Sequence, residues 1–270
     1  MMDAGVVRAG APAVFLDKDG TLVEDVPYNV DPALVRFTPN AIEGLKLLSA
    51  HGYKLVVVTN QPGVAMGLFG RADLMRLERA LTGMLRDQGV ELAGFFACIH
   101  APSNRPGGGC LCRKPAPGLL RQAALAHKVD LKQSWMVGDI LNDIEAGQRA
   151  GCRTVLMDVG NETEWRLSPL RTPHLKVADL LEAARAIVSR PLLAQPSEQE
   201  IRVGPAVRSP VSVASGSPFG PGFGPLNRNG LCVDASLDLR ANQPDASRWS
   251  QWSHRWLAAR ASRAPRSALC

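Results

Sequence analysis

Short apolar runs alternate with longer segments of helical periodicity through the first 190 residues of the chain. The apolar runs, such as YKLVVVTN, are rich in β-branched residues and have the length of buried strands. The segments between them, such as RADLMRLERALTGMLRDQ, repeat apolar residues every three or four positions, as one face of a helix does. The predicted strands are 13–16, 53–60, 94–100, 134–139 and 153–158, and the predicted helices are 41–51, 71–88, 115–127, 142–151 and about 177–188. This alternation predicts an α/β protein with a doubly wound, Rossmann-like parallel sheet covered by helices on both faces.

A change of composition near residue 190 divides the chain into three predicted parts. Residues 1–12 form an N-terminal extension, and residues 13–190 form one domain without an insertion long enough for a separate cap domain. Residues 191–270 are rich in Pro, Gly, Ser and Arg. We expect this tail to be disordered, because it cannot bury enough apolar surface to offset its conformational entropy.

Charge and hydropathy narrow the classes of partner. The net charge of +6 comes mostly from arginines after residue 190, so nothing in the domain requires a nucleic-acid partner. No run of about 18 apolar residues suggests a membrane span, and the first residues do not resemble a signal peptide. We therefore expect a cytoplasmic monomer that acts on a small molecule.

Polar side chains follow three of the predicted strands at the point where each strand ends. They are Asp17, Asp19, Thr59, Asn60, Asp139 and Asp143. Ligands of open α/β sheets bind beyond the carboxyl ends of the strands, so we expect these side chains to share one cleft. Asp, Thr and Asn are also common turn residues after strands, and any one of them alone would be interpreted that way.

The combination of these residues indicates phosphoryl-transfer chemistry. Asp17 and Asp19 are two residues apart, so their carboxylates could line one cleft and repel each other. A divalent cation would relieve that repulsion. Asp139 would add an oxygen ligand, which suits Mg²⁺. Thr59 can hydrogen-bond a phosphoryl oxygen, and Lys114 supplies a positive charge beside it. An aspartate nucleophile, a second aspartate as acid and base, a lysine and Mg²⁺ together make a phosphoryl-transfer site.

A second metal site is predicted between the third strand and Lys114. The segment CIHAPSNRPGGGCLC places Cys98, His100, Cys110 and Cys112 in a Cys-x-His and Cys-x-Cys arrangement. Three thiolates and one imidazole complete a tetrahedral Zn²⁺ shell, which is typical of a structural site. Such a zinc loop, residues 98–112, would position Arg113 and Lys114 at the phosphate site. The alternative is a chance grouping of four residues in a loop.

Four motifs in order, DKDGT, VVVTN, CRKP and VGDxxxD, resemble those of the haloacid dehalogenase (HAD) superfamily of phosphohydrolases. The resemblance covers about residues 12–160 and implies the HAD fold. It implies that Asp17 is the nucleophile that forms an aspartyl-phosphate and that Asp19 is the general acid and then the base. Thr59 and Lys114 correspond to the groups that hold the transferring phosphoryl. The implied Mg²⁺ ligands are Asp17, the main-chain carbonyl of Asp19 and Asp139, with Asp143 as supporting carboxylate.

The zinc loop narrows this resemblance. Within the superfamily it is similar to the loop of the D-glycero-D-manno-heptose 1,7-bisphosphate phosphatases and the related histidinol-phosphate phosphatases. PYNVDP, TNQPGVAMGLF and CRKPAPGLL are also similar to that subfamily, and Asn60 and Arg113 become the expected substrate contacts. Two features depart from the subfamily, namely Met66 where an arginine is usual and the tail after residue 190. Met66 leaves the identity of the substrate open, whereas the expected phosphoryl-transfer chemistry stays the same.

The expected function is Mg²⁺-dependent hydrolysis of a phosphomonoester, with a heptose 1,7-bisphosphate as the leading substrate. Histidinol phosphate is the nearest alternative within the same subfamily. A polynucleotide 3′-phosphatase shares D-x-D-G-T, but the nearly balanced charge of the domain and the zinc loop count against it. A non-catalytic, zinc-stabilised interaction protein would not need the intact motif set.

Overall fold

A computed structural model describes residues 10–102 and 109–190 of the chain. Most of the predicted N-terminal extension, the middle of the zinc loop and the predicted disordered tail, residues 191–270, lie outside the described residues. Ala11 marks the described end of the extension, where it hydrogen-bonds to Lys128 and Asp130 in the turn after a helix.

The domain is built on a six-stranded parallel sheet with strand order β3-β2-β1-β4-β5-β6. The strands are β1 Ala13–Leu16, β2 Lys54–Asn60, β3 Gly94–Cys98, β4 Trp135–Gly138, β5 Arg153–Met157 and β6 Leu175–Val177. The helices are α1 Ala41–Ala50, α2 Arg71–Asp87, α3 Gly118–His127, α4 Leu141–Ala150 and α5 Leu180–Val188. Three short 3₁₀ helices cover Pro32–Leu34, Leu131–Gln133 and Pro169–Arg171. The predicted fold class is confirmed.

One strand was missed by the sequence analysis. Residues 175–177 pair with β5 as the edge strand β6, and the last helix begins at Leu180, not near residue 177. The helix starts there because the Asp179 side chain accepts a hydrogen bond from the Glu182 amide at 2.7 Å and caps the first turn. Strand β6 gives little sequence signal because it has three residues, of which Lys176 is exposed.

Alternate residues of the central strands support two layers of core. Val14 and Leu16 face the cluster under α1, α2 and α5, whereas Phe15 faces the cluster under α3 and α4. Burial of one such side chain stabilises the fold by roughly 1.5–3 kcal/mol, so both faces of the sheet contribute to stability. Among the described residues, no helix is both long and apolar enough to cross a bilayer.

The strand order places the cleft. Strand β1 lies between β2 and β4, so the chain moves outward in opposite directions on its two sides. This is the switch point at which doubly wound sheets bind ligands, beyond the carboxyl ends of the strands. The residues that follow β1, β2 and β4 therefore meet there, as the sequence predicts.

Candidate active site

A buried lysine joins two of the predicted carboxylates. The Lys114 amine lies 2.6 Å from Asp17 Oδ1 and 2.7 Å from Asp143 Oδ1. It also donates to the main-chain carbonyl of Val58 at 2.9 Å. Lys114 and Asp143 are almost fully buried, and Asp17 is 8% exposed. The nucleophile candidate thus sits at the floor of the cleft with one carboxylate oxygen held by a charged donor.

This pocket carries more negative than positive charge. Burial raises the pKa of Asp17 well above its usual value, although Lys114 opposes the shift. Burial and then the neighbouring Asp143 raise the pKa of Asp139 to about 7. Burial alone would lower the pKa of Lys114, but the carboxylates of Asp143 and Asp17 outweigh it and raise that pKa. One lysine therefore does not balance three carboxylates.

The donor set fits a hard divalent cation. Carboxylate oxygens of Asp17, Asp139 and Asp143 lie within 4.8 Å of one another. Three buried carboxylates with a single lysine leave a deficit of positive charge that a divalent ion would fill. An all-oxygen set of this kind suits Mg²⁺, which keeps water and phosphate among its ligands. Asp17 and Asp139 keep exposed fractions of 8% and 5%, whereas Asp143 is fully buried, so Asp17 and Asp139 are the carboxylates that an ion entering from solvent could reach.

Asp139 is held from two sides. The Thr21 hydroxyl donates to Asp139 Oδ1 at 3.3 Å, and the Asn161 amide donates to Oδ2 at 2.8 Å. Gly20 lies against the same carboxylate with a φ of +78°, and an added Cβ would collide with both Asp139 and Asn161. The glycine of DKDGT is therefore required by close approach as well as by its turn. The sequence analysis missed Asn161, which lies outside all four motifs.

Asp19 is held by Lys18 and Gln61, neither of which was among the predicted site residues. Its carboxylate pairs with the Lys18 amine at 2.5 Å and accepts a hydrogen bond from Gln61 Nε2 at 3.0 Å. The same Gln61 nitrogen donates to Thr59 Oγ1 at 3.0 Å. Gln61 thereby connects the predicted general acid to the predicted phosphoryl-binding hydroxyl. The place of this polar residue directly after VVVTN, at the end of a predicted strand, was the signal that could have identified it.

Asn60 holds the main chain of Lys114. Its amide nitrogen donates to the Lys114 carbonyl at 3.1 Å, and its amide oxygen accepts from the Lys114 N–H at 3.0 Å. The Lys114–Pro115 peptide bond is cis. Asn60 therefore positions the lysine in this structure, and its predicted substrate contact stays a prediction. Arg113 is partly buried, with one guanidinium nitrogen that has no hydrogen-bond partner among the described groups. Its predicted substrate contact likewise stays a prediction.

The four predicted zinc ligands come together beside this cleft. The three sulfurs of Cys98, Cys110 and Cys112 are 3.3–3.5 Å apart, and His100 Nδ1 is 3.2 Å from the Cys112 sulfur. A tetrahedral zinc with Zn–S bonds of about 2.3 Å separates its sulfurs by about 3.8 Å, so the cluster has the size of a zinc shell. The described cysteines form no disulfide.

The electrostatics of this cluster favour a thiolate. Hydrogen bonds from Cys112 and Cys98 lower the pKa of Cys110 to about 2, whereas the hydrogen bond to Cys110 raises the pKa of Cys98 to about 12. The thiolate is the form of cysteine that binds metal. The ligand chemistry therefore fits Zn²⁺ and not Mg²⁺.

Main-chain contacts connect the cysteine cluster to the catalytic cleft. The Gln61 N–H donates to the Cys98 carbonyl at 2.7 Å, which joins the ends of β2 and β3. The Gly118 N–H donates to the Leu111 carbonyl at 3.0 Å, and an added Cβ at Gly118 would collide with that carbonyl. The turn between Cys110 and Cys112 thus packs on the start of α3, with Lys114 in the intervening segment.

The raised pKa values predict how stability depends on pH without Mg²⁺. Asp139 takes up a proton near pH 7 in the fold but near 3.8 when unfolded. Its protonation therefore stabilises the fold at low pH, and this contribution is lost as the pH rises through about 7. We expect the Mg²⁺-free protein to melt at a lower temperature at about pH 8 than at about pH 6, and added Mg²⁺ to raise the melting temperature more at the higher pH.

Thermal unfolding at the two pH values, with and without Mg²⁺, measures this effect. The Asp139→Asn variant is the control, since an amide cannot titrate and its pH dependence should be smaller. An equal gain from Mg²⁺ at both pH values would contradict the assignment of a titrating cation site.

Comparisons with known proteins support the chemistry of this cleft. A family model described as HAD-hydrolase-like matches residues 111–184. A D-glycero-alpha-D-manno-heptose-1,7-bisphosphate 7-phosphatase of Photorhabdus laumondii subsp. laumondii is 35% identical over 153 residues, which cover 55% of this chain and 84% of that protein. A D-glycero-beta-D-manno-heptose-1,7-bisphosphate 7-phosphatase of Pasteurella multocida is 41% identical over 154 residues, which cover 55% of this chain and 82% of that protein.

A solved structure is also similar to this chain. The crystal structure of D,D-heptose 1,7-bisphosphate phosphatase from B. bronchiseptica, complexed with magnesium and phosphate, superposes with a TM-score of 0.58 and 31% identity. The match covers 66% of this chain and 98% of that one. The chain belongs to the HAD superfamily and is a phosphatase.

Proposed function

We propose that this protein is a Mg²⁺-dependent phosphatase that removes one phosphate from a heptose 1,7-bisphosphate through an aspartyl-phosphate intermediate. The contact of Lys114 with both Asp17 and Asp143 carries the proposal. It places a charged group at the nucleophile, while the main chain of the same lysine follows directly from the cysteine cluster. The names of the similar phosphatases supply the sugar.

The side chains divide the reaction into two steps. In the first step an Asp17 carboxylate oxygen attacks phosphorus, the bond from phosphorus to the sugar oxygen breaks, and Asp19 gives that oxygen a proton. In the second step Asp19 takes a proton from water, the water oxygen attacks the aspartyl-phosphate, and inorganic phosphate leaves Asp17. Lys114 holds Asp17 Oδ1 at 2.6 Å, which leaves Oδ2 to attack.

The cation and the surrounding donors act on the phosphoryl oxygens. Asp17, the main-chain carbonyl of Asp19 and Asp139 are the groups that would hold Mg²⁺, which would neutralise negative charge on the phosphoryl group when bound. The Thr59 hydroxyl and the Lys114 amine would bind phosphoryl oxygens on the other side. Asp143, fully buried, keeps Lys114 charged and in place.

Zn²⁺ is proposed as a second, structural metal at Cys98, His100, Cys110 and Cys112. Its four protein ligands leave no open position, so it would not contact substrate. Arg113 and Asn60 are proposed near the substrate. We further propose that the enzyme acts as a cytoplasmic monomer on a small sugar phosphate, without nucleic acid or membrane.

A substrate panel tests the proposed function. The panel contains both anomers of D-glycero-D-manno-heptose 1,7-bisphosphate, histidinol phosphate and a 3′-phosphorylated oligonucleotide, with phosphate release measured in Mg²⁺. We expect the highest kcat/KM for one heptose anomer. The relatives include proteins named for either anomer, so the panel also decides between them.

Histidinol phosphate is the second candidate because of Met66. This residue is 50% exposed in the loop after β2, where the heptose subfamily usually has an arginine. A thioether cannot pair with a second phosphate, and histidinol phosphate has only one. A higher kcat/KM for histidinol phosphate than for both heptose anomers would reject the heptose assignment and leave the phosphatase chemistry intact.

Asp19→Asn should slow turnover by roughly 10²–10⁴-fold, the usual contribution of general acid–base catalysis. The amide keeps the shape of the carboxylate between Lys18 and Gln61 but cannot deliver or accept the proton. Phosphate release under saturating substrate is the measurement, and Glu24→Gln, an exposed position five residues away, is the control.

The identity of the leaving group sharpens this test. Nitrophenolate needs little protonation, so the first step with nitrophenyl phosphate should lose less from Asp19→Asn than the same step with a sugar phosphate. An equal loss of the rate of leaving-group release for both substrates would count against Asp19 as the proton donor.

A further inference from the structure

The loop after β5 supplies a side chain to the cation site that no motif includes. Asn161 lies four residues beyond the last residue of β5 and donates from Nδ2 to Asp139 Oδ2 at 2.8 Å. Thr21, from the loop after β1, donates to Oδ1 of the same carboxylate at 3.3 Å. Each oxygen of Asp139 therefore has one donor, and together the two donors fix the plane of the carboxylate.

The contact between Asn161 and Asp139 is tightly packed against the main chain of the first motif. A Cβ on Gly20 would collide with the Asp139 carboxylate and with the Asn161 amide. The loops after β1, β4 and β5 thus meet at one point. Asn161 approaches the cation site beside Gly20, the residue of the first motif that has no side chain.

The next residue holds the main chain that follows Asp139. The Glu162 carboxylate accepts a hydrogen bond from the Leu141 N–H at 2.7 Å, at the first residue of α4. Two consecutive residues of one loop therefore act on Asp139, one on its carboxylate and one on the helix that begins after it. This division of roles allows the two effects to be separated by substitution.

We propose that Asn161 is a positioning residue for the divalent-cation site, acting through Asp139 and without touching the substrate. The proposal rests on the proposed function, because it requires Asp139 to be a cation ligand. A hydrogen-bond donor occupies one lone pair of the Asp139 carboxylate and fixes the orientation of that carboxylate. The lone pairs that remain are then directed at the ion. Partners of this kind typically change metal affinity by about 10- to 100-fold when they are removed.

The measurement is the dissociation constant of Mg²⁺ for the full chain, determined by calorimetry in phosphate-free buffer. Asn161→Ala should weaken Mg²⁺ binding by about 10-fold or more. Asn161→Leu keeps the volume of the side chain without its donor and should show a similar loss. The concentration of Mg²⁺ for half-maximal activity should rise by the same factor, while kcat and KM at saturating Mg²⁺ stay within about twofold of the unaltered enzyme.

Two neighbours serve as controls. Asn142→Ala removes an amide three residues after Asp139 that accepts its hydrogen bond from Arg171. Glu162→Gln keeps an acceptor for the Leu141 N–H. Both should bind Mg²⁺ as the unaltered protein does. Asn161 is exposed, so its substitution should leave the melting temperature in the absence of Mg²⁺ nearly unchanged.

Three results would overturn the proposal. Mg²⁺ binding within twofold of the unaltered protein in both Asn161 variants would show that the hydrogen bond does not position Asp139. A raised KM with unchanged Mg²⁺ affinity would place Asn161 on the substrate. An unaltered protein that neither binds Mg²⁺ nor is activated by it would reject the proposed function and this inference together, whereas the first two results leave the proposed function standing.

Discussion

Replacement of Asp17 by asparagine should abolish phosphatase turnover while leaving the protein folded. The amide has nearly the shape of the carboxylate but cannot attack phosphorus, so no aspartyl-phosphate can form. Loss of the nucleophile removes the whole covalent route, whereas loss of another active-site group removes only one contribution to its rate. We therefore expect phosphate release from the Asp17→Asn variant to be indistinguishable from that of a blank without enzyme.

The fold should tolerate this change for an electrostatic reason. Burial raises the pKa of Asp17, which means that the ionised carboxylate is unfavourable in this position when no cation compensates it. Lys114 loses one partner in the variant but keeps Asp143 at 2.7 Å. The melting temperature without Mg²⁺ should accordingly stay the same or rise, and circular dichroism should show the same secondary structure.

A matched control separates the nucleophile from other carboxylates at strand ends. Asp158 directly follows β5 and pairs with Lys176 at 2.6 Å on the surface, so Asp158→Asn should retain turnover. Rapid quenching with ³²P-labelled substrate should also trap a labelled protein in the unaltered enzyme and none in Asp17→Asn. Ordinary turnover by Asp17→Asn would rule out the aspartyl-phosphate mechanism.

The positions of the charged motif residues were predictable because parallel strands leave little freedom at their carboxyl ends. Asp17 and Asp139 follow adjacent strands of the sheet, so a correct assignment of strands already brings their side chains together. Lys114 is different, because it comes from a loop. Its place beside the phosphate site was expected from its charge and then from the family resemblance, and the contact depends on the Asn60 amide and on the turn that the cysteine cluster forms.

The residues that were missed lie where side-chain contacts depend on loop conformation. Gln61 and Asn161 carry no charge and belong to no periodic segment, so the position of Gln61 directly after VVVTN is the one sequence signal that either residue offers. Their partners are 42 and 22 positions away in sequence. Strand β6 was missed for another reason, since three residues with a lysine in the middle form too short a pattern to read as a strand.

The arrangement around Lys114 connects the proposed Mg²⁺ site of oxygen ligands with the proposed Zn²⁺ site of thiolate ligands. The lysine amine must reach the cleft floor, while its main chain belongs to a loop that has few apolar residues to hold it. The Asn60 amide holds that main chain from β2, and the cysteine cluster anchors the loop from β3. A metal that binds thiolates would rigidify the loop without competing for the oxygen ligands of the cleft.

Removal of the soft metal should therefore weaken both stability and phosphate binding. We expect one tightly bound zinc per chain in protein purified without added metal, and none or much less in Cys110→Ser. Loss of a structural metal belongs to the group of changes that cost about 3–5 kcal/mol. For a domain of this size that corresponds to a decrease in melting temperature of about 6–20 °C.

The kinetic signature should differ from that of the nucleophile variant. The proposed zinc has four protein ligands and would take no part in the chemical steps, so Cys110→Ser should raise KM and lower kcat/KM while the pH dependence of turnover keeps its shape. Cys152→Ala is the control, because Cys152 is buried in the core under α3 and α4 without belonging to the group of four ligands, and burial raises the pKa of its thiol. That variant should keep its zinc. Fully active protein that contains no zinc would reduce the four residues to a chance grouping and would remove the best support for the heptose bisphosphate subfamily.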